Sequence, residues 1–156
     1  MFLKTKNLKS YLFLLFFIIL FFALSFPVSA DKDGNGKNSL FVQGYRLLDA
    51  LNEEGVRSTE IELFFSKNVV NIMVNENNKK CFSLFNEEQG IIPIEIQMAD
   101  DQIDREKRHI IKIISQKPLE PGKTFQLTIA SELESKNGIK LEKQVKINFV
   151  PLDIIK

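Results

Sequence analysis

The chain has 156 residues, and its 21 Lys and Arg nearly balance its 20 Asp and Glu, which gives a formal net charge of +1 at pH 7. That balance excludes the clustered basic surface with which proteins bind nucleic acid, so we expect no nucleic-acid partner. A single cysteine excludes an internal disulfide. The fold must therefore be stabilised by apolar packing alone.

Residues 1–30 have the three parts of a secretory signal peptide. Three lysines within the first nine residues precede an apolar stretch at 11–26, and small residues follow at 29 and 30. This order predicts export and cleavage after Ala30. Because the apolar stretch is close to the minimum length that spans a bilayer, an uncleaved, membrane-anchored form is the alternative.

The remaining 126 residues have the length of one domain. Three of the lysines lie in the signal peptide, so this part carries 18 basic and 20 acidic side chains. We predict a flexible linker at 31–40, a folded domain at 41–150 and a short tail at 151–156.

The linker opens with DKDGNGKNSL, which matches the first half of a calcium-binding loop at Asp31, Asp33 and Asn35. Position twelve of such a loop, where a bidentate Glu closes the site, is Val42. This incomplete set of ligands favours a solvated tether rich in Gly and Asp. A calcium site completed by carboxylates of the folded domain is the alternative.

The first element of the domain lies in LFVQGYRLLDALNEEGVRS, residues 40–58. Its apolar residues occupy both odd and even positions, and Gly44 interrupts them. This pattern predicts a strand with a bulge. A short helix over 45–55 is the alternative.

From residue 59 onward, apolar and polar residues alternate with a period of two, which predicts strands with one wet face; Glu60 and Glu62 occupy such a face. HIIKIIS at 109–115 has apolar residues at both odd and even positions, which predicts a strand that is covered on both faces. Pro93 indicates the start of a strand or an unpaired edge. Alternation in 81–85 places Cys81 and Phe85 on the face opposite to that of Phe82 and Leu84. The predicted inward residues are Ile61, Leu63, Phe65, Phe82, Leu84, Ile92, Ile94, Ile96, Met98, Phe125, Leu127, Ile129, Val145, Ile147 and Phe149.

Turn signals rich in Gly, Asn and Pro separate these strands at 52–55, 75–80, 86–90, 118–122 and 135–138. Residues 68–74 leave room for a turn or two of helix at most. Many short strands at this spacing predict an all-β, antiparallel sandwich or barrel.

Four stretches, at 61–71, 81–96, 118–133 and 135–149, resemble bacterial Ig-like domains of the S-layer protein type. The most specific pieces are Phe-Ser-Lys-x-Val from Phe65 and Leu-x-Pro-Gly-x-x-aromatic ending at Phe125. The resemblance covers about 41–150 and implies a β-sandwich of about seven strands that serves as a spacer, adhesion or binding module on bacterial surfaces. Many such domains carry Tyr where this chain has Phe125, which can pack there but cannot donate the hydrogen bond of a tyrosine corner.

Few residues are candidates for a reactive or metal-binding site. Cys81 is predicted to be a small buried hydrophobic residue, with an intermolecular disulfide or a reactive thiol as the alternative. One relative of this sandwich family binds exported copper, but such a carrier needs several His or Met ligands, and the mature chain offers only His109, Met73 and Met98.

Acidic pairs occur at 53–54, 87–88 and 100–101. Adjacent carboxylates on a turn generally point apart, which is unsuited to the paired carboxylates of a glycosidase, so we predict solvated turns. The run at 104–109 is mixed in charge and predicts a polar loop.

The sequence thus predicts a non-enzymatic Ig-like β-sandwich without a cofactor, secreted or attached to the cell surface. Its expected partner is a protein or a cell-wall polysaccharide, and it contacts a membrane only if the signal segment is retained. The alternative is a small exported protein that binds calcium or copper through residues 31–35 or His109.

Overall fold

The computed structural model describes residues 39–51 and 57–151. The predicted signal peptide, Asp31, Asp33 and Asn35 of the linker, and the acidic pair at 53–54 therefore lie outside the described residues.

The described residues form two four-stranded sheets in which every strand pair is antiparallel. The first sheet has the order β1-β2-β6-β5 and the second the order β4-β3-β7-β8. This arrangement confirms the predicted antiparallel β-sandwich. The elements are β1 (Val42–Leu51), β2 (Arg57–Phe65), α1 (Ile72–Asn78), β3 (Phe82–Asn86), β4 (Gly90–Ile92), β5 (Ile94–Met98), β6 (Ile110–Ser115), β7 (Phe125–Ile129) and β8 (Val145–Phe149), with 3₁₀ turns at Lys79–Cys81 and Arg105–His109.

The core lies between the sheets and is built from alternate residues of each strand. Phe125 is fully buried and stacks on Phe149, with ring centroids 6.0 Å apart. The predicted inward residues are confirmed in the central strands. On the edge strands Ile92, Ile147 and Phe149 are also buried, whereas the predicted inward residues of β5, together with Val145, are only half-buried.

Strand β1 confirms the predicted bulge, since its register with β2 shifts between Val42 and Gly44. The helix proposed as an alternative for this segment is wrong over 45–51, the part of it that the structure describes. Leu40, the last residue of the predicted linker, is buried and bridges to Leu141. Pro151, which follows β8 near the C-terminal limit of the described residues, is also buried.

Pro93 lies where the chain crosses between the sheets. β4 ends at Ile92 in the second sheet, and β5 begins at Ile94 in the first. Proline lacks a backbone N–H, so this break in the strand leaves no donor unpaired, and the Pro93 carbonyl accepts a hydrogen bond from the Gln116 backbone N–H at 3.0 Å. β5 is an edge strand, as the position of Pro93 indicated.

Three local predictions are wrong. The 75–80 segment is not a turn but contains most of α1, because the Asn71 side chain caps the helix by accepting from the Met73 N–H. β6 is buried on one face only: Ile111 and Ile113 are buried, whereas Ile110 and Ile114 are half-buried. Cys81 does not share a face with Phe85, because it belongs to the 3₁₀ turn before β3 and is buried.

The sandwich has two distinct ends. The segments 66–81, 99–109 and 130–144 form the helix end, where the Val69 N–H donates to the Arg108 carbonyl and the Lys136 N–H to the Asn68 carbonyl. The turn at 87–89 and the loop at 116–124 form the turn end. Within the described ranges, no helix combines the length and apolar character needed to cross a membrane.

Candidate functional site

A polar groove of about 700 Å³ opens at the turn end, on the outer face of the second sheet. The apolar part of the groove is the ring of Phe85. Leu84 and Asn86 face the core, so the alternation of β3 turns Phe85 outward, with 42% of its surface exposed. The other side chains that line the groove are polar and include Glu88, Lys123, Thr124, Gln126 and Asn148.

The floor of the groove is a row of side chains that crosses adjacent strands. Phe85 pairs with Gln126 of β7, and Gln126 pairs with Asn148 of β8. The Gln126 amide nitrogen donates to the Asn148 side-chain oxygen at 3.0 Å. At about 4.8 Å between strands, the row presents one ring and two amides over about 10 Å.

An ion pair connects the two segments at the rim of the groove. The Lys123 ammonium lies 2.7 Å from both carboxylate oxygens of Glu88, and this hydrogen bond and the charge of Glu88 raise the pKa of Lys123. Beside it, the Gln89 side-chain amide donates to the Glu120 carboxylate at 2.9 Å. The turn at 87–89 and the loop at 116–124 thus hold each other in place.

Buried Asn86 fixes the same two segments from below. Its side-chain amide donates to the Thr124 carbonyl at 2.9 Å, and its oxygen accepts from the N–H groups of Glu88 and Gln89, each at 3.0 Å. Because these bonds are all internal, the groove is formed before any ligand arrives, which lowers the entropic cost of binding.

This arrangement suits a ligand with hydroxyl groups and apolar C–H faces. The amides of Gln126 and Asn148 offer both donors and acceptors, and the exposed ring of Phe85 offers a flat apolar surface. Of the acidic pair at 87–88, Glu88 is engaged by Lys123, so the two carboxylates do not form an opposed pair across the groove.

The outer face of the first sheet carries a second cluster of charge. Glu62 is buried, forms an ion pair with Arg46, and lies 3.4 Å from the Lys112 ammonium. Burial alone would raise the pKa of Glu62, but hydrogen bonds and charge from Arg46 and Lys112 lower it overall. Because Glu62 and Glu60 are neutralised within the sheet, this cluster stabilises strand pairing and offers no open site.

At the helix end, Asp101 is not the solvated turn residue that the sequence predicts. It is buried and accepts hydrogen bonds from the side chains of Asn71 and Asn68, each at 2.8 Å, and from Gln102 at 3.0 Å. These bonds lower the pKa of Asp101 to about 2. Asp100, by contrast, is exposed as predicted.

The other residues singled out by the sequence do not come together. Cys81 is buried with its sulfur 3.4 Å from the Asn77 carbonyl, and burial raises the pKa of its thiol. His109 accepts from the Arg108 guanidinium at 3.0 Å. Met73 is exposed on α1, whereas Met98 is half-buried on β5. No group of three His, Cys, Asp or Glu that could hold a metal occurs in the ranges 39–51 and 57–151.

Comparison with known proteins supports the fold of the chain but not a specific function. No protein-family model and no curated protein matches the chain. Among solved structures, it is similar to the native conformation of E. coli alpha-2-macroglobulin, seen by cryo-EM, and to a crystal structure of that protein spanning domains MG0-NIE-MG1, each with a TM-score of 0.54 and 14% identity. Each alignment covers 76% of this chain, but only 6% and 33% of those chains respectively. Such identity is evidence for the shared β-sandwich fold alone.

Proposed function

We propose that this chain is an exported, non-enzymatic Ig-like module that binds a cell-wall polysaccharide in the groove at the turn end. The observation that carries the proposal is the row of Phe85, Gln126 and Asn148 across three strands. A sugar ring has a C–H face that packs on an aromatic ring and hydroxyl groups that pair with amides. The signal-peptide pattern at 1–30 and the resemblance to S-layer Ig-like domains support the location of such a ligand.

A polysaccharide fits this groove better than a protein partner does. Protein interfaces usually bury about 800 Å² on each side around a well-packed apolar centre. The groove has one exposed ring, and the side chains around it are amides and an ion pair. Polar groups that are already ordered can bind hydroxyls without a large apolar contact.

The test is cosedimentation of the form that begins at Asp31 with isolated bacterial cell wall. We expect Phe85→Ala and Gln126→Ala each to raise the Kd, obtained from the bound fraction over a range of wall concentrations, about fivefold to tenfold, since one lost contact of this kind is worth about 1 kcal/mol. Ile91→Ala is the matched control: Ile91 is the cross-strand neighbour of Phe85 and is exposed on the same face, but it does not line the groove.

Equal loss of binding in Ile91→Ala would contradict a site in the groove.

Digestion of the wall before the assay separates the two ligand classes. If protease treatment removes binding and glycan-degrading treatment does not, the ligand is a protein and the polysaccharide proposal is wrong.

A further inference from the structure

The helix end carries three large apolar side chains that are almost fully exposed. Ile72 and Met73 begin α1 and are 82% and 84% exposed, and Ile103, in the loop between β5 and β6, is 85% exposed. Side chains that keep more than four-fifths of their surface project from the molecule and do not line a groove. We call these three residues the apolar tip.

A network of hydrogen bonds holds the two segments of the apolar tip beside each other. Asn71, immediately before Ile72, donates to the Asp101 carboxylate at 2.8 Å, and Ile103 follows two residues after Asp101. The Asp104 and Ile103 N–H groups both donate to the Asp100 carbonyl, which closes the loop that presents Ile103. The tip is therefore ordered before any partner binds, and little entropy is lost on contact.

The N-terminal segment of the chain joins the sandwich at this same end. The Ser66 N–H donates to the Phe41 carbonyl at 3.0 Å, and the Ser66 hydroxyl donates to the Ser39 carbonyl at 3.2 Å. Thirteen residues separate Ser39 from the apolar stretch at 11–26, counting Ser39 itself, and they span at most about 45 Å. Whenever that stretch is in a bilayer, the helix end lies within reach of the membrane surface.

The charges of the helix end are nearly balanced. In the segments 66–81, 99–109 and 130–144, nine Lys and Arg accompany eight Asp and Glu. Attraction to anionic headgroups is therefore weak, and the apolar side chains must supply most of any affinity for a membrane.

We propose that the apolar tip inserts Ile72, Met73 and Ile103 into the headgroup region of a lipid bilayer and so holds the domain on the membrane with its turn end outward. Three projecting side chains give too little continuous area for a stable protein interface. They suit a fluid surface, because lipids close around each side chain separately. The inference does not depend on the proposed polysaccharide site, which lies at the opposite end.

Flotation of the form that begins at Asp31 with lipid vesicles tests this directly. We expect binding to pure phosphatidylcholine vesicles and to vesicles with 30% phosphatidylglycerol, with less than about threefold difference between them. Ile72→Ser, Met73→Ser and Ile103→Ser should each weaken partitioning roughly tenfold, and the triple variant at least about 100-fold. Ile91→Ser, which is 79% exposed at the turn end, is the control and should bind as the unchanged protein does.

A second measurement reports insertion itself. The chain contains no Trp, so Ile103→Trp and Ile91→Trp each introduce a single fluorophore. We expect vesicles to shift the emission of Ile103→Trp to shorter wavelength and to leave Ile91→Trp unchanged. Absence of vesicle binding by the unchanged protein, equal loss in Ile91→Ser, or a concentration-dependent dimer that the triple variant abolishes would overturn the proposal.

Discussion

Single polar side chains organise the helix end of this molecule. Asn78 is completely buried, and its amide donates to the carbonyls of Val69 and Glu134, each at 2.7 Å, while its oxygen accepts from the Glu134 N–H at 2.9 Å. A buried amide is tolerated only when such bonds are made. Composition alone places Asn78 in a turn, because two of these three hydrogen bonds are made to Glu134, which lies 56 residues further along the chain.

The carboxyl group of Asp101 should make stability depend on acid pH. Its pKa is about 2 in the folded chain and near 3.9 in an unfolded chain. The stabilisation is therefore fully present above about pH 4 and is lost as the pH falls to about 2, a change of about 2 kcal/mol. We expect Asp101→Asn to remove this part of the pH dependence, as measured by urea unfolding at pH 4 and pH 2.

Asp100→Asn is the matched control for that experiment, because Asp100 is the exposed neighbour. If Asp101→Asn kept the full pH dependence of the unchanged protein, the low pKa of Asp101 would not contribute to stability.

At the scale of the elements, sequence periodicity predicted the strands and their inward faces because each is a local property. It allowed a turn or two of helix at 68–74 but not the actual position of α1, whose seven residues depend on the cap from Asn71 and on the hydrogen bonds of Asn78 to Val69 and Glu134. It also missed the groove. Alternation places Gln126 and Asn148 on the outer face, but only the strand register places Gln126 beside Phe85 and Asn148 beside Gln126.

The two phenylalanines Phe125 and Phe85 should respond in opposite ways to truncation. Phe125 is fully buried against Phe149, so Phe125→Ala should lower the free energy of unfolding by about 3–5 kcal/mol, through lost burial and the cavity left behind. Phe85 has its ring on the outer face, and Phe85→Ala should cost less than about 1 kcal/mol. Denaturant unfolding of both variants checks this, and similar losses would show that the faces of β3 or β7 are wrongly assigned.

At the scale of the whole molecule, the two proposed contacts lie at opposite ends of a sandwich whose longest strand has ten residues, or about 33 Å. The apolar tip is at the helix end and the groove at the turn end. A domain held on a membrane by the apolar tip would present the groove to the cell wall outside that membrane.

The described core begins at Leu40, which is buried. Deletion of residues 31–37 should therefore leave the melting temperature within about 1 °C of that of the longer form, with or without millimolar calcium. Thermal unfolding followed by circular dichroism gives the measurement, and magnesium in place of calcium is the control. A calcium-dependent rise that disappears with the deletion would make Asp31, Asp33 and Asn35 a metal site and the tether hypothesis wrong.

The crossing at Pro93 has a mechanical consequence. A pull between the N-terminal segment, which continues into β1 of the first sheet, and a ligand held on β3, β7 and β8 of the second sheet tends to draw the two sheets apart. β4 and β5 are joined across the sandwich by this single residue, and the proline ring fixes its φ angle. The load at this corner is therefore carried by covalent bonds as well as by core packing, so the sheets cannot separate there without first stripping β4 or β5 from its neighbour.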